Sequence, residues 1–375
     1  AYRLMQQVHG RDTRVILGGV GRRNPENADR FAIFAMEAAG RHMEAQPQLS
    51  LRMHQGMNPD VRQAAMDLLA KGLTYPLLYN DEASMEAVMQ SMHVTEEEAE
   101  QYAFFGCGEY VIAHKSMGTP NDIINLLKVL EVTLNNGVDP VSGRPHGLAL
   151  GAFSDFHTFD ELLTAYKKQT EYFAAISARH HALVYEVANE KASMLMMSLL
   201  TDDCIERARA VADGGIRYLA GTYETYGNIS TADSLEAIRR SVYEEKRFTQ
   251  DELLEMLSKN FVGYEEERDY LLSLPKFGNN IPEIDELASD INEHVCRFVS
   301  AQAEINNLAS YLVVMINNSA NVVLGKYTSA SADGRLAGTY MSNGNNPMAG
   351  MDQNGLTAML HSIASTDMSI TAGTA

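Results

Sequence analysis

Between Arg14 and Phe105 short apolar runs alternate with helical stretches, and this alternation limits the possible folds more than any other feature of the chain. Arg14-Val15-Ile16-Leu17 runs into Gly18-Gly19 as a strand entering a tight turn. Residues 27 to 45 have helical spacing, with Phe31, Phe34, Ala35, Ala38 and Ala39 on one stripe. Leu49 to His54 alternates apolar and polar, as a half-buried strand does. Asn58-Pro59 opens a helix that runs to Lys71-Gly72, where glycine can cap it. Tyr75 to Asp81 reads as a short strand ending in polar residues, and Glu82 to Ser91 as a helix. Thr95 caps a further helix, with Glu98 at the capping-box position. Tyr102-Ala103-Phe104-Phe105 is again a strand. Such an order predicts parallel βαβ units and an α/β fold.

In parallel sheets the chemistry gathers at the carboxyl ends of the strands. Four stretches fall there: Gly18-Gly19, His54, Asn80-Asp81 and Gly106-Cys107-Gly108-Glu109. The last puts a cysteine and a carboxylate two residues apart on a glycine-rich turn. That pattern suits a sulfur that takes something from a substrate and a carboxylate that moves a proton. Each stretch also has a plain structural reading. Cys107 is equally a small buried cysteine in a turn, His54 a structural histidine, and Asn80-Asp81 a helix N-cap.

Beyond Cys107 the pattern is mostly helical. Helices are predicted over Asp122–Asn136, Phe159–Val187, Leu195–Ala212, Asp233–Glu245, Thr249–Phe261, Glu283–Asn317 and Leu356–Ala364, with a short strand at Ile216-Arg217-Tyr218. His180 and His181 are adjacent on a helix and point in different directions, so no shared metal site is read from them. The stretches around Asp333-Gly334-Arg335 and Asn343-Gly344-Asn345-Asn346-Pro347 read either as ordered functional loop or as linker.

The balance of 49 acidic against 30 basic residues, a net charge of −19, argues against nucleic-acid or anionic-membrane partners. No apolar run reaches membrane-span length, and no signal peptide opens the sequence. Three well-separated cysteines, Cys107, Cys204 and Cys296, point to a reducing compartment without a disulfide framework. The start at Ala1 and the loop-like end at Ala375 read as a piece of something larger.

Gly106-Cys107-Gly108-Glu109 resembles the Gly-Cys-x-Glu loop of the glycyl radical enzymes, the pyruvate formate-lyase-like superfamily. The resemblance extends in order along the chain: Leu49-Ser50-Leu51-Arg52, Tyr75-Pro76, Asn80-Asp81-Glu82, Leu134-Asn135-Asn136-Gly137, Asp203-Cys204-Ile205-Glu206, Ala232-Asp233-Ser234-Leu235, Pro275-Lys276-Phe277-Gly278-Asn279, Asp333-Gly334-Arg335 and Asn354-Gly355-Leu356. It implies one incomplete domain over residues 1–375, a fragment of a ten-stranded α/β barrel rich in surrounding helices. The N-terminal part and the C-terminal glycyl radical loop would be absent from this sequence. It also implies that Cys107 is the thiyl site and Glu109 the acid or base beside it.

A single cysteine rather than a Cys-Cys pair sets the chain apart from pyruvate formate-lyase itself. Glu109 resembles the dehydratase and carbon–heteroatom lyase branch, and Gly108 and Tyr110 depart from that branch's usual Val and Pro. The resemblance thus implies hydrogen abstraction through Cys107 followed by elimination from a small polar substrate. The alternatives are a carbon–carbon lyase such as an arylacetate decarboxylase, or a non-catalytic scaffold. Substrate contacts are expected from Tyr110, His54, Asp81 and His114, with Lys115 beside His114. No cofactor is expected to bind directly and no metal. The implied partners are a radical-SAM activating enzyme with an iron–sulfur cluster and a second copy of the chain. The setting is an anaerobic cytoplasm, free or inside a bacterial microcompartment.

Overall fold

The computed structural model describes residues 14–44, 47–105, 108–117 and 121–374. The chain forms two compact units. The first comprises the residues before 106 together with Tyr110–His114, and the second comprises Gly108, Glu109 and the chain from Lys115 onward.

The first unit is built on three parallel strands, β1 (Arg14–Gly18), β2 (Gln48–Met53) and β3 (Leu77–Asn80), in that spatial order. Helices α1 (Pro25–His42), α2 (Pro59–Ala70) and α3 (Asp81–Met92) connect or follow them. The side chains of Asn24, Asn58 and Asn80 accept the first free helical N–H groups, and Pro25 and Pro59 take the first helical positions. Short α4 (Glu96–Ala99) leads into β4 (Tyr102–Phe105), which pairs with β5 (Glu109–Ile112).

Two details differ from the sequence reading. Alpha-1 buries Ala32, Met36 and Ala39, whereas Phe31 and Phe34 are 57% and 60% exposed. The small face is the one that fits against the sheet core of Leu17, Leu49 and Leu51. Strand β2 does not alternate: Leu49, Ser50, Leu51 and Arg52 are all buried, because it lies between two neighbours and is covered on both faces.

The second unit carries four parallel strands in the order β11-β10-β9-β6. Strand β6 (Asn121–Asn125) is followed by α5 (Leu126–Leu134) and a small hairpin of β7 (Val138–Asp139) and β8 (Arg144–Pro145). Then come α6 (Phe159–Lys191), α7 (Leu195–Leu199), β9 (Ala220–Tyr226) and α8 (Asn228–Ile238), which runs on into a π-helical turn over Arg239–Glu244. Helices α9 (Gln250–Ser258), α10 (Glu265–Ser273) and α11 (Pro282–Ile305) precede β10 (Ser310–Met315). Helices α12 (Ala320–Gly325) and α13 (Leu356–Ala364) precede β11 (Gly373–Thr374).

Several expected helices are cut short by strands. Asp122-Ile123-Ile124 pairs with Tyr223-Glu224-Thr225, and the helix begins only where the Asn125 side chain caps it. The predicted helix over 195–212 ends at Leu199, since Asp203 and Ala208 hold left-handed backbone that no α-helix accommodates. Ile216–Tyr218 makes a single bridge to Ser116, and the strand itself starts at Ala220. Helix α11 stops at Ile305, and Ser310–Met315 is a fully buried strand. The loop around Asp333-Gly334-Arg335 is packed. Arg335, 5% exposed, donates to the carbonyls of Thr328, Ser329, Leu336 and Thr339 and to Ser331 Oγ.

Candidate active site

Cys107 lies outside the described residues. Glu109, two residues on, is the first residue of β5 and only 2% exposed. Gly108, just before it, is pressed against the sheet of the second unit. A Cβ added to Gly373 would stand 2.1 Å from the carbonyl oxygen of Gly108, so backbone meets backbone with no side chain between. Gly373 is paired with Val314 of β10, which places Gly108 at the β11 side of the sheet.

The carboxyl ends of β1, β2 and β3 converge on a buried ion pair. Arg52 donates from Nε to Asp81 Oδ1 at 2.5 Å and from Nη2 to Oδ2 at 3.0 Å. Its Nη1 donates to the carbonyls of Glu100 at 2.9 Å and Tyr102 at 3.1 Å. The Tyr102 hydroxyl donates to Asp81 Oδ1 at 2.6 Å, and the Val20 N–H to Oδ2 at 2.8 Å. The guanidinium also stacks on the Tyr102 ring, 3.8 Å from its centre. Burial works to raise the Asp81 carboxyl's pKa, but the hydrogen bonds from Arg52 and Tyr102 outweigh it and hold the group below the usual carboxylate range. Burial pushes the Tyr102 phenol well up. Gly19 admits no side chain here: its φ is +88°, and a Cβ would come 2.7 Å from Arg52 Nε. Gly18-Gly19 and Asp81, far apart in sequence, thus belong to the seat of Arg52.

Tyr110 sits in the same unit. Its hydroxyl donates to Ser84 Oγ at 3.1 Å, and its ring meets those of Tyr102 and Phe104 at 5.6 and 5.8 Å. Burial pushes its phenol up to about 12. Phe104 stacks on Tyr79 with ring centres 3.6 Å apart. His54 lies half-buried just past β2, its carbonyl accepting the Met57 N–H. His114 is exposed and holds a left-handed φ of 64°. Asp81 and Tyr110 therefore join one network through Tyr102 and Ser84, whereas His54 and His114 stand at the ends of other segments.

The sequence reading missed Arg52 as a site residue, although an arginine inside an apolar strand signals a buried partner. It also missed Asp122 on β6. His180 Nδ1 lies 2.9 Å from Asp122 Oδ1, His181 Nδ1 3.4 Å from Oδ2, and the Tyr311 hydroxyl donates to Oδ2 at 3.2 Å. Adjacent histidines thus do reach one carboxylate, because β6 runs beside α6. Burial raises the Asp122 pKa less than His181 and His180 lower it. Among the described residues no group of His, Cys, Asp and Glu is arranged to hold a metal ion.

The sequence profile of the Pyruvate formate lyase-like family matches residues 5–325, and the chain belongs to that family. It is 29% identical over 358 residues to the trans-4-hydroxy-L-proline dehydratase of Clostridioides difficile, covering 95% of this chain and 45% of that protein. It is 30% identical over 325 residues to the isethionate sulfite-lyase of Oleidesulfovibrio alaskensis, covering 84% and 38%. Among solved structures, the glycerol-bound B12-independent glycerol dehydratase from Clostridium butyricum superposes with a TM-score of 0.90 at 30% identity, covering 96% of this chain and 46% of that one. The α/β architecture is therefore that of glycyl radical enzymes, and the chain spans less than half the length of the relatives it matches.

Proposed function

We propose that this chain carries the thiol and the proton-transfer carboxylate of a glycyl radical lyase, Cys107 and Glu109, and that the reaction is an elimination from a small hydroxylated substrate. The observation that carries this reading is the burial of Glu109, two residues on from a cysteine in sequence, directly after Gly108, whose backbone is packed on Gly373. Burying a carboxylate is costly, so one buried two residues from a cysteine in sequence is a candidate proton acceptor. The names of the relatives support elimination, since dehydratases and sulfite-lyases both expel a group from carbon.

The glycyl radical of such an enzyme supplies the one-electron chemistry, hydrogen abstraction through the Cys107 sulfur. Glu109 supplies the proton chemistry. It takes the proton from a hydroxyl or amino group on the carbon that has lost hydrogen, and where the group leaving the neighbouring carbon is a hydroxyl, it hands that proton on so that water departs. A dry, low-dielectric setting strengthens this transfer. Tyr110, the next residue in sequence, is held through Ser84, and Tyr110, His54 and His114 are the further substrate contacts of the proposal. Asp81 enters as an anchor of β4, since both its oxygens are engaged by Arg52, Tyr102 and Val20. The domain is one incomplete barrel, and the partners are a radical-SAM activating enzyme and a second copy, in the cytoplasm. No described helix is long and apolar enough to cross a membrane.

The test is turnover by the full-length protein after anaerobic activation, offered glycerol, propane-1,2-diol, trans-4-hydroxy-L-proline and isethionate. Loss of water or sulfite from one of them, abolished by Cys107→Ser, is the expected result. Carbon dioxide release from an arylacetate would establish the carbon–carbon lyase instead. A full-length protein that lacks the radical loop and consumes none of these would be a scaffold.

A further inference from the structure

A cavity of about 220 Å³ opens in the second unit between α8, α10 and the loop after α12. Gly108, Glu109 and Tyr110 do not line it. Its charged walls are Asp233, Arg268, Lys276, Asp333 and Arg335. Three of these are accounted for within the fold. Arg335 spends all five N–H groups on carbonyls and Ser331, and Asp333 Oδ1 accepts from Ser331 Oγ at 2.5 Å. Lys276, 5% exposed, donates to the carbonyls of Leu271 at 2.7 Å and Leu274 at 3.4 Å, which leaves one N–H.

Two groups are not accounted for. Asp233 is 1% exposed. Its Oδ1 accepts the Phe277 N–H at 2.9 Å, and its Oδ2 has no hydrogen-bond partner among the described residues. Arg268 is anchored through Nε to the Gly334 carbonyl at 2.8 Å, and its two terminal amino groups make no hydrogen bond among the described residues. A guanidinium fixed by Nε, with its terminal edge free, is the usual fork for a planar or tetrahedral oxyanion. A buried carboxyl with one oxygen unpaired is costly unless something completes it.

We propose that this cavity binds a small oxyanion, a carboxylate or phosphate group, between the terminal edge of Arg268 and the free N–H of Lys276, with the protonated Asp233 donating a hydrogen bond to it. The electrostatics agree. Burial, opposed in part by Lys276, pushes Asp233 up to about 7, with Asp333 and Glu236 adding to the rise. The same burial draws Lys276 down, against Asp233, Asp333 and Glu236. With Asp233 neutral the lining carries three cations and one anion, so an incoming oxyanion restores balance. The site is independent of the elimination chemistry.

The experiment is calorimetric titration of the full-length protein with acetate and, separately, inorganic phosphate, at constant ionic strength set by chloride. Saturable one-to-one binding of either probe is expected, and whichever binds more tightly identifies the ligand class. Acetate keeps its charge between pH 6 and 8, so its pH profile reports the protein. Since the binding form carries the proton, acetate should bind about tenfold more weakly at pH 8 than at pH 6. Arg268→Gln should weaken binding at least tenfold, and Arg268→Lys should fall between. Asp233→Asn keeps a neutral donor and the Phe277 contact, so it should bind acetate with most of the pH dependence gone; what remains would report Lys276. Circular dichroism of each variant checks the fold. Absence of saturable binding of both probes up to the highest concentration tolerated by a chloride control, or binding unaffected by Arg268→Gln, would overturn the proposal.

Discussion

Arg52 grips Asp81 through two guanidinium nitrogens, at 2.5 and 3.0 Å, and neither side chain is open to solvent. The remaining nitrogen, Nη1, reaches the backbone on both sides of β4's start, at Glu100 and Tyr102. One arginine on β2 thus ties the ends of two parallel strands to the strand that leads, five residues after Tyr102, to Cys107. Hydrogen bonds from a fixed fork set direction as well as distance, so the departure of β4 from the sheet is specified by these two residues.

Removing one partner of this pair leaves the other buried and unpaired. Arg52→Met should destabilise the first unit by about 3–5 kcal/mol. Hydrogen exchange of the amides of β1 to β4, compared with those of β9 and β10, would detect it as a local loss of protection.

The same pair makes a pH prediction. The folded Asp81 carboxyl titrates below its unfolded value, so its contribution is complete above the ordinary carboxylate pKa. It is lost as pH falls through the lower, folded pKa. Denaturant melts between pH 6 and pH 2 should show stability falling mainly below about pH 4, and an Asp81→Asn variant should show a shallower fall.

Gly19→Ala should cost on the order of 1–3 kcal/mol, from the left-handed φ of 88° and the clash with Arg52. Gly72→Ala is the control. It shares a positive φ of 83° but meets nothing within 4 Å, so it should cost less. Paired denaturation curves separate strain from clash.

Glu109→Gln keeps the size of the side chain and removes its proton acceptance. In the activated full-length protein it should lower turnover roughly 10²–10⁴-fold while the radical signal in electron paramagnetic resonance stays at the level of the unmodified protein. A full-rate variant would remove Glu109 from the mechanism.

The second unit holds a buried amide chain: Asn228 donates to Asn292 at 3.0 Å, Asn292 to Asn345 at 3.0 Å, and Asn345 to Thr366 at 3.2 Å. Asn292→Leu should cost about 1–3 kcal/mol, since it takes one hydrogen-bond partner from each of two buried amides, while Asn228 keeps Thr225 and Asn345 keeps Thr366. The loop around Asn345 should become sensitive to limited proteolysis first.

The parallel α/β order of residues 14–80, the helix starts at Asn58, Asn80 and Thr95, and the two-residue spacing of Cys107 and Glu109 are all local patterns, so the sequence by itself determined them; β4, read into the same parallel run, pairs instead with β5 in a separate two-stranded sheet. Periodicity, proline and glycine act within a few residues. The buried strands β6, β9 and β10 were not legible. A run such as Ser310-Tyr311-Leu312-Val313-Val314-Met315 is apolar on both faces, and its period does not separate a buried strand from a buried helix. Which face of α1 is covered, and that His180 and His181 share Asp122, depended on what packs against them. Arg52 and Asp81 lie 29 residues apart, and only the parallel register of β2 and β3 brings them together. Tertiary structure decided these points because burial and long-range pairing depend on neighbours that no local pattern encodes.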